Sequence, residues 1–148
     1  MSSDLAEALK RQLAGGAGIA DGSLTYRAVA GPPSARIEIE VRLSGGGDLR
    51  WRSKDEAGGG DMRDGDIRLD AAAAEALIRL AASGFDTLIT REQARFPPDS
   101  AVASITLQMA EESETRFFLR DAEGGSGRRP TVSADIVDLA EQLEALAK

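Results

Sequence analysis

The sequence contains no cysteine and no histidine. Without cysteine there is no disulfide, no thiolate metal ligand and no thiol nucleophile, and nothing speaks for an oxidising compartment. Without histidine the commonest general base, the commonest zinc ligand and the usual pH switch are missing. Aromatic residues make up only 4% of the chain, so its core has to be built from Leu, Ile, Val and Ala. No stretch approaches the roughly 20 consecutive apolar residues that span a bilayer. The first residues, MSSDLAEALKRQLAGG, carry Asp4 and Glu7 where a signal peptide needs an uninterrupted apolar run. A cytoplasmic protein with no cofactor and no membrane partner is the expectation.

What is present resembles an ordinary globular composition: 148 residues, 42% hydrophobic and 29% charged. That length supports one domain and is short for two. The chain is therefore read as a single domain over residues 1–148, with an N-terminal helix and linker over 1–22 and an α+β core over 23–148. The formal net charge of −7 argues against a nucleic-acid partner, because binding the phosphate backbone calls for clustered cations. Its cations are 15 Arg and 3 Lys, alongside abundant Ala and Gly. That residue usage fits a GC-rich coding sequence and points to a bacterial source.

The best-bounded element is Asp70 to Phe85, DAAAAEALIRLAASGF. Asp70 can cap a helix by accepting a bond from a free first-turn N–H, and Gly84 can end it in the left-handed conformation. Ala73, Ala74, Leu77, Ile78, Leu80 and Ala81 recur at helical spacing on one face. Earlier in the chain, Leu5, Leu9 and Leu13 form a narrow stripe within residues 3–14, which predicts a surface helix. Leu24, Tyr26 and Ala28 share one face of a strand. Arg36 to Leu43 is the clearest strand, with Ile37, Ile39, Val41 and Leu43 facing one way. If Leu43 pairs with Leu49, Val41 falls opposite Trp51, Glu40 opposite Arg52 and Glu38 opposite Lys54, with Arg42 against Arg50 as the one mismatch.

Asp55 to Gly65 reads as a loop, and Ile67 to Leu69 as a short strand or an extended lead-in. Leu88 to Ala94 reads as a helical turn. Ala101 to Ala110 alternates as a strand, Glu111 to Glu114 makes an acidic turn, and Arg116 to Arg120 returns. Phe117 and Phe118 must then point to opposite faces, and Phe118, beside Thr106 and Gln108, is assigned the exposed one. A last helix begins at Thr131 or Ser133 and buries Ile136, Val137, Ala140, Leu143 and Leu146, with Leu139 at its edge. Strands that come in hairpins argue for an α+β fold: one antiparallel sheet with two main helices on one face and a short N-terminal helix.

The motifs carry little chemistry. Asp61, Asp64 and Asp66 in DMRDGD offer oxygens to a cation, but the spacing is not that of an EF-hand and Arg63 interrupts it. A solvated acidic loop is the default reading. The glycine runs at 45–47 and 58–60 do not lead into a phosphate-binding helix with the Lys-Ser/Thr of a Walker sequence. Arg128 and Arg129 precede the last helix and are placed to hold one anion. No carboxylate pair and no nucleophile–base pair stands out, so no catalytic residue is assigned. Two features favour a protein partner. In ARFPPDS, Arg95 and Phe96 adjoin the stiff Pro97-Pro98, and a pre-stiffened loop loses less entropy on binding. An exposed Phe118 would be an interface anchor.

The run I67-R-L-D70, then Leu77 and Leu80, Phe85-Asp86, Pro98-Asp99, a strand with I105-T-L107 and a closing helix resembles the emfourin-like family of small bacterial proteins. The shared layout covers residues 36–147 and includes no inhibitory motif to carry over residue by residue. The resemblance implies an inhibitor of thermolysin-type metalloproteases. Taken together, the expectation is a non-enzymatic protein-binding module, monomeric or homodimeric, with Arg95, Phe96, Pro97, Pro98 and Phe118 as contacts. The alternatives are a small-molecule or anion binder and a homodimeric structural protein.

Overall fold

Alternation in the clearest strand sets the architecture. Ile37, Ile39, Val41 and Leu43 line one face of β2 (Ile37–Ser44), which pairs with β3 (Asp48–Asp55) in the expected register, Val41 opposite Trp51 and Glu40 opposite Arg52. The Arg42–Arg50 mismatch is relieved on both sides: Arg42 turns to Glu40 at 3.4 Å and Arg50 to Asp66 at 3.3 Å. The structure, a computed structural model, describes residues 3–15, 22–30, 36–56, 59–90, 102–109, 111–119 and 133–147.

The other elements are α1 (Asp4–Ala14), β1 (Gly22–Ala30), β4 (Met62–Arg68), α2 (Ala71–Gly84), a 3-10 turn (Phe85–Thr87), β5 (Ile89–Thr90), β6 (Val102–Met109), β7 (Glu112–Leu119) and α3 (Ala134–Leu146). Among the described residues seven strands form one antiparallel sheet in the order β4-β3-β2-β1-β6-β7-β5. Tyr26, Val41, Leu43, Leu49, Ile105, Leu107 and Phe118 form the buried side of the sheet, and the buried residues of all three helices join the same core. The fold is α+β, with one apolar face of the sheet covered and the other polar.

α2 is capped as the sequence predicts, the Asp70 carboxylate accepting from Ala73 N at 2.7 Å. Its end is different. Gly84 has φ −97°, not the left-handed conformation, and the chain continues into the 3-10 turn. Thr87 Oγ1 donates to the Gly84 carbonyl at 2.6 Å. Glycine is needed there for contact with α3: a Cβ would sit 2.5 Å from Ile136 Cγ1 and 2.7 Å from Ser133 Oγ. On α3, Ser133 is the cap, Leu139 is fully buried and Val137 is exposed, so the buried stripe is rotated from the expected one. The segment expected as a helical turn at Leu88 to Ala94 instead begins as β5, where Ile89 pairs with Phe117; residues 91–94 lie outside the described residues.

α1 is not a surface helix. Leu5, Ala6, Leu9 and Leu13 are buried, and the helix packs on α2, β6 and β7. Its cap explains why. Ser3 Oγ accepts from Ala6 N at 3.1 Å and donates to Glu114 Oε1 at 2.7 Å, while Ser3 N donates to Asp86 Oδ1 at 2.8 Å. Glu114 in turn accepts from Arg116 Nε at 2.7 Å. The Arg116 side chain, only 3% exposed, also donates to the Phe85 carbonyl at 3.3 Å and stacks over the Phe85 ring at 4.9 Å.

Two tests follow from these contacts. Gly84→Ala, ordinarily favourable in a helix, is expected to destabilise by about 1–3 kcal/mol through overpacking against Ile136, measured by urea unfolding. Arg116→Ala is expected to cost about 1–3 kcal/mol, because it removes the hydrogen bonds to Glu114 and to the Phe85 carbonyl. Partial burial pushes the Glu114 carboxyl up, but the hydrogen bonds from Ser3 and Arg116 and the Arg116 charge outweigh it and hold it below the ordinary glutamate range. A depressed carboxylate contributes stability that is complete above the ordinary range and is lost as pH falls through its lowered value. Unfolding of Glu114→Gln followed against pH should therefore lack that acid limb.

Candidate interaction surface

The segment read as an acidic loop is largely a strand. Met62 to Arg68 forms β4, paired with β3 so that Arg52 lies opposite Asp64 and Arg50 opposite Asp66. Asp61 precedes the strand and is exposed; Asp64 and Asp66 lie two apart on its outer face. Among the described residues no group of three or more His, Cys, Asp or Glu is placed to hold a metal ion. Charge pairing with β3 makes up for the poor strand propensity of Asp and Gly. The clue in the sequence was this charge complement to Arg50 and Arg52, not hydrophobic alternation.

Gly65 has a specific reason to be there. It sits opposite Trp51, and a Cβ on it would meet the indole at 2.6 Å from Nε1 and 2.8 Å from Cε2. The indole thus lies over the bare backbone of β4. Beyond β4, among the described residues, no further strand pairs.

The same side of the sheet carries an open cleft of about 760 Å³. Its floor is Ile37 and Ile39 of β2 with Ser53 of β3, its wall is the end of α3, and its rim carries Asp55, Asp61, Glu141 and Glu144 against Lys54 and Arg63. Among the described residues the rim thus carries four carboxylates against two cations. Glu144 is fixed at the edge by the hydroxyl of fully buried Tyr26, which donates to its Oε2 at 2.7 Å. The alternation of β2 suggested that Ile37 and Ile39 would be covered, yet Ile37 is 45% exposed and Ile39 half-buried. Burial changes along β2: Val41 and Leu43 are covered, whereas Ile37 and Ile39 lie at the end of the strand beside the last turn of α3, where the helix layer stops.

The expected contact residues fare differently. Phe118 is a correction: it is 2% exposed and packs with Tyr26 at 6.5 Å between ring centroids. β7 resumes at Glu112, earlier than expected, so Ala103, Ile105 and Leu107 lie opposite Phe118, Arg116 and Glu114. That register sends Phe118 inward and leaves Phe117, half-buried, on the outer face opposite Ser104. Arg95, Phe96, Pro97 and Pro98 lie outside the described residues, as do Arg128 and Arg129. Among the described residues no helix is long and apolar enough to cross a membrane.

No family model matches the chain, and no curated protein matches it.

The single tryptophan makes the β3–β4 edge easy to follow. Gly65→Ala is expected to displace the Trp51 indole, shift its emission to the red and destabilise by about 1–3 kcal/mol; an unshifted spectrum would show that the seat is not tight.

Proposed function

We propose that this chain is a non-catalytic module that binds another protein. The observation that supports this reading is the β4 edge, unpaired on its outer side among the described residues, beside an acidic cleft with an exposed isoleucine floor. Open edges bind extended segments through main-chain hydrogen bonds and draw specificity from side chains on alternate residues. Natural sheets usually blunt such edges with charge. Here Arg63, Asp64, Asp66 and Arg68 carry both signs rather than one repelling sign, which leaves the edge usable by a matching partner.

The more specific form, drawn from the layout shared with emfourin-like chains, is steric inhibition of a thermolysin-type metalloprotease in the cytoplasm of a bacterium. The segment Arg95, Phe96, Pro97 and Pro98 would fill the cleft of the enzyme without supplying a reactive group. A second reading as a small-molecule binder draws on the cleft beside α3, whose carboxylates favour a cationic molecule over an anion.

The test is inhibition of thermolysin acting on a peptide substrate, with binding followed in parallel by calorimetry. Saturable inhibition is expected, and Arg95→Ala with Phe96→Ala should weaken it at least tenfold with Tm changed by less than about 2 °C. Binding without inhibition leaves the module reading and removes the inhibitor one. No binding to thermolysin, with a Tm that rises with spermidine concentration, favours the small-molecule reading.

A further inference from the structure

The hydrogen-bond phase of the sheet shows which backbone groups of β4 point away from β3 and are unpaired among the described residues. Leu69 N donates to Gly47 O at 2.8 Å, and these residues are in register with the β3–β4 ladder. In an antiparallel ladder, pairs that exchange hydrogen bonds alternate with pairs that do not. Counting back from Leu69, the N–H and C=O groups of Ile67, Gly65 and Arg63 point to β3. Those of Met62, Asp64, Asp66 and Arg68 point away from it. The β2–β3 ladder agrees: Glu56 N donates to Arg36 O, which assigns the even residues of β3 to β2 and the odd ones to β4.

The residues with free backbone groups are also those whose side chains lie on the outer face. That face is ordered by charge from strand to strand. Glu40, Arg52 and Asp64 form one row, in which Arg52 binds Glu40 at 3.4 Å. Asp64 is left with no ion-pair partner among the described residues. Arg42, Arg50 and Asp66 form the next row, and Asp48 bridges Arg68 in a third. Each of the first two rows ends at the edge on a carboxylate, and the next position outward calls for a cation.

We propose that β4 receives an extended peptide segment as an added antiparallel strand, with basic side chains at the two alternate positions facing Asp64 and Asp66. The residue between them faces Gly65 and the Trp51 indole and is apolar; the residue opposite Arg68 is acidic. The pattern read along the incoming strand is acidic, apolar, basic, apolar, basic. This inference rests on the protein-binding reading and names the chemistry of the partner. A second copy of the chain fits poorly: two-fold pairing centred on Gly65, the register that uses all of β4, sets Asp64 against Asp66 of the other copy, and like charges directly opposite are destabilising.

The probe is the capped heptapeptide Glu-Val-Lys-Val-Lys-Thr-Val, with a control in which both lysines are glutamate. Amide hydrogen exchange is measured on the full chain with and without saturating peptide. Protection of the Met62, Asp64, Asp66 and Arg68 amides by at least tenfold is expected, with the amides of Arg63, Gly65 and Ile67 unchanged. Asp64→Lys with Asp66→Lys should weaken the lysine peptide about two- to thirtyfold and bind the glutamate peptide better. Asp64→Asn with Asp66→Asn gives an intermediate loss and serves if the lysine variant fails to fold.

Absence of the alternating protection at millimolar peptide, or a peptide preference that does not invert, overturns the inference. So does protection of the same amides without peptide together with concentration-dependent dimerisation in sedimentation, which assigns the edge to a second copy. If thermolysin binding persists unchanged in the Asp64→Lys, Asp66→Lys variant while the peptide does not bind, this inference fails and the protein-binding reading stands. Loss of both with the fold intact removes both.

Discussion

A guanidinium buried inside an apolar layer is tolerated only when its charge and its donors are met. Arg116 meets that condition by drawing together three parts of the chain: Glu114 on its own strand, the turn after α2 with the Phe85 carbonyl and ring and Asp86 at 3.8 Å, and, through Glu114 and Asp86, Ser3 at the start of α1. Taking a charge out of water costs several kcal/mol, and good geometry is needed to offset it. The cluster thus restricts the arrangements open to the chain more than it adds to stability. The turn after α2 has to present its carbonyl. The first helix has to start where Ser3 reaches both carboxylates. β7 has to keep Glu114 and Arg116 on the helix side, which in turn fixes Phe118 inside.

The same cluster explains what was hard to read in the sequence. Where an element is half apolar and half polar, the pattern alone sufficed: β2 and β3 pair residue for residue as their two faces dictate, and Asp70 caps α2. Where a polar residue is buried, the pattern misleads. Glu114 and Arg116 look like turn and surface residues, so the pattern starts the strand only at Arg116 and puts Phe118 outside, whereas β7 begins at Glu112. α1 has only three leucines and reads as peripheral, but its burial depends on a cap partner more than a hundred positions away. Gly84 illustrates a different ambiguity. A glycine near a helix end can serve conformation or close approach, and only the position of Ile136 decides between them.

The candidate surface was legible only in part. β4 has no apolar alternation, and its partnership with β3 is encoded in charges that solvent-exposed loops also carry. Its Asp-Gly-Asp sequence suits a turn as well as a strand paired beneath an indole. The cleft is a property of the assembled layers, arising where the helices run out before the sheet does, and no local stretch of sequence encodes it. Its presence beside the free edge means that a segment bound at β4 would have its helix-side residues close to the rim carboxylates, so the two features form one continuous surface.

The strand order carries a further consequence, for how the chain reaches this state. β1 to β4 form a meander of neighbours, and β6 and β7 a hairpin of their own, and among the described strands the two halves of the sheet join only where β1 meets β6, with Val29 opposite Val102 and Gly22 opposite Met109. Closing a loop on the order of 80 residues costs about 2–3 kcal/mol more than closing a tight turn. The seam at the middle of the finished sheet is therefore its least local ladder. Until it closes, both β1 and β6 expose an unpaired, valine-bearing strand edge. The longer that seam stays open, the longer these two edges are available for pairing with other chains.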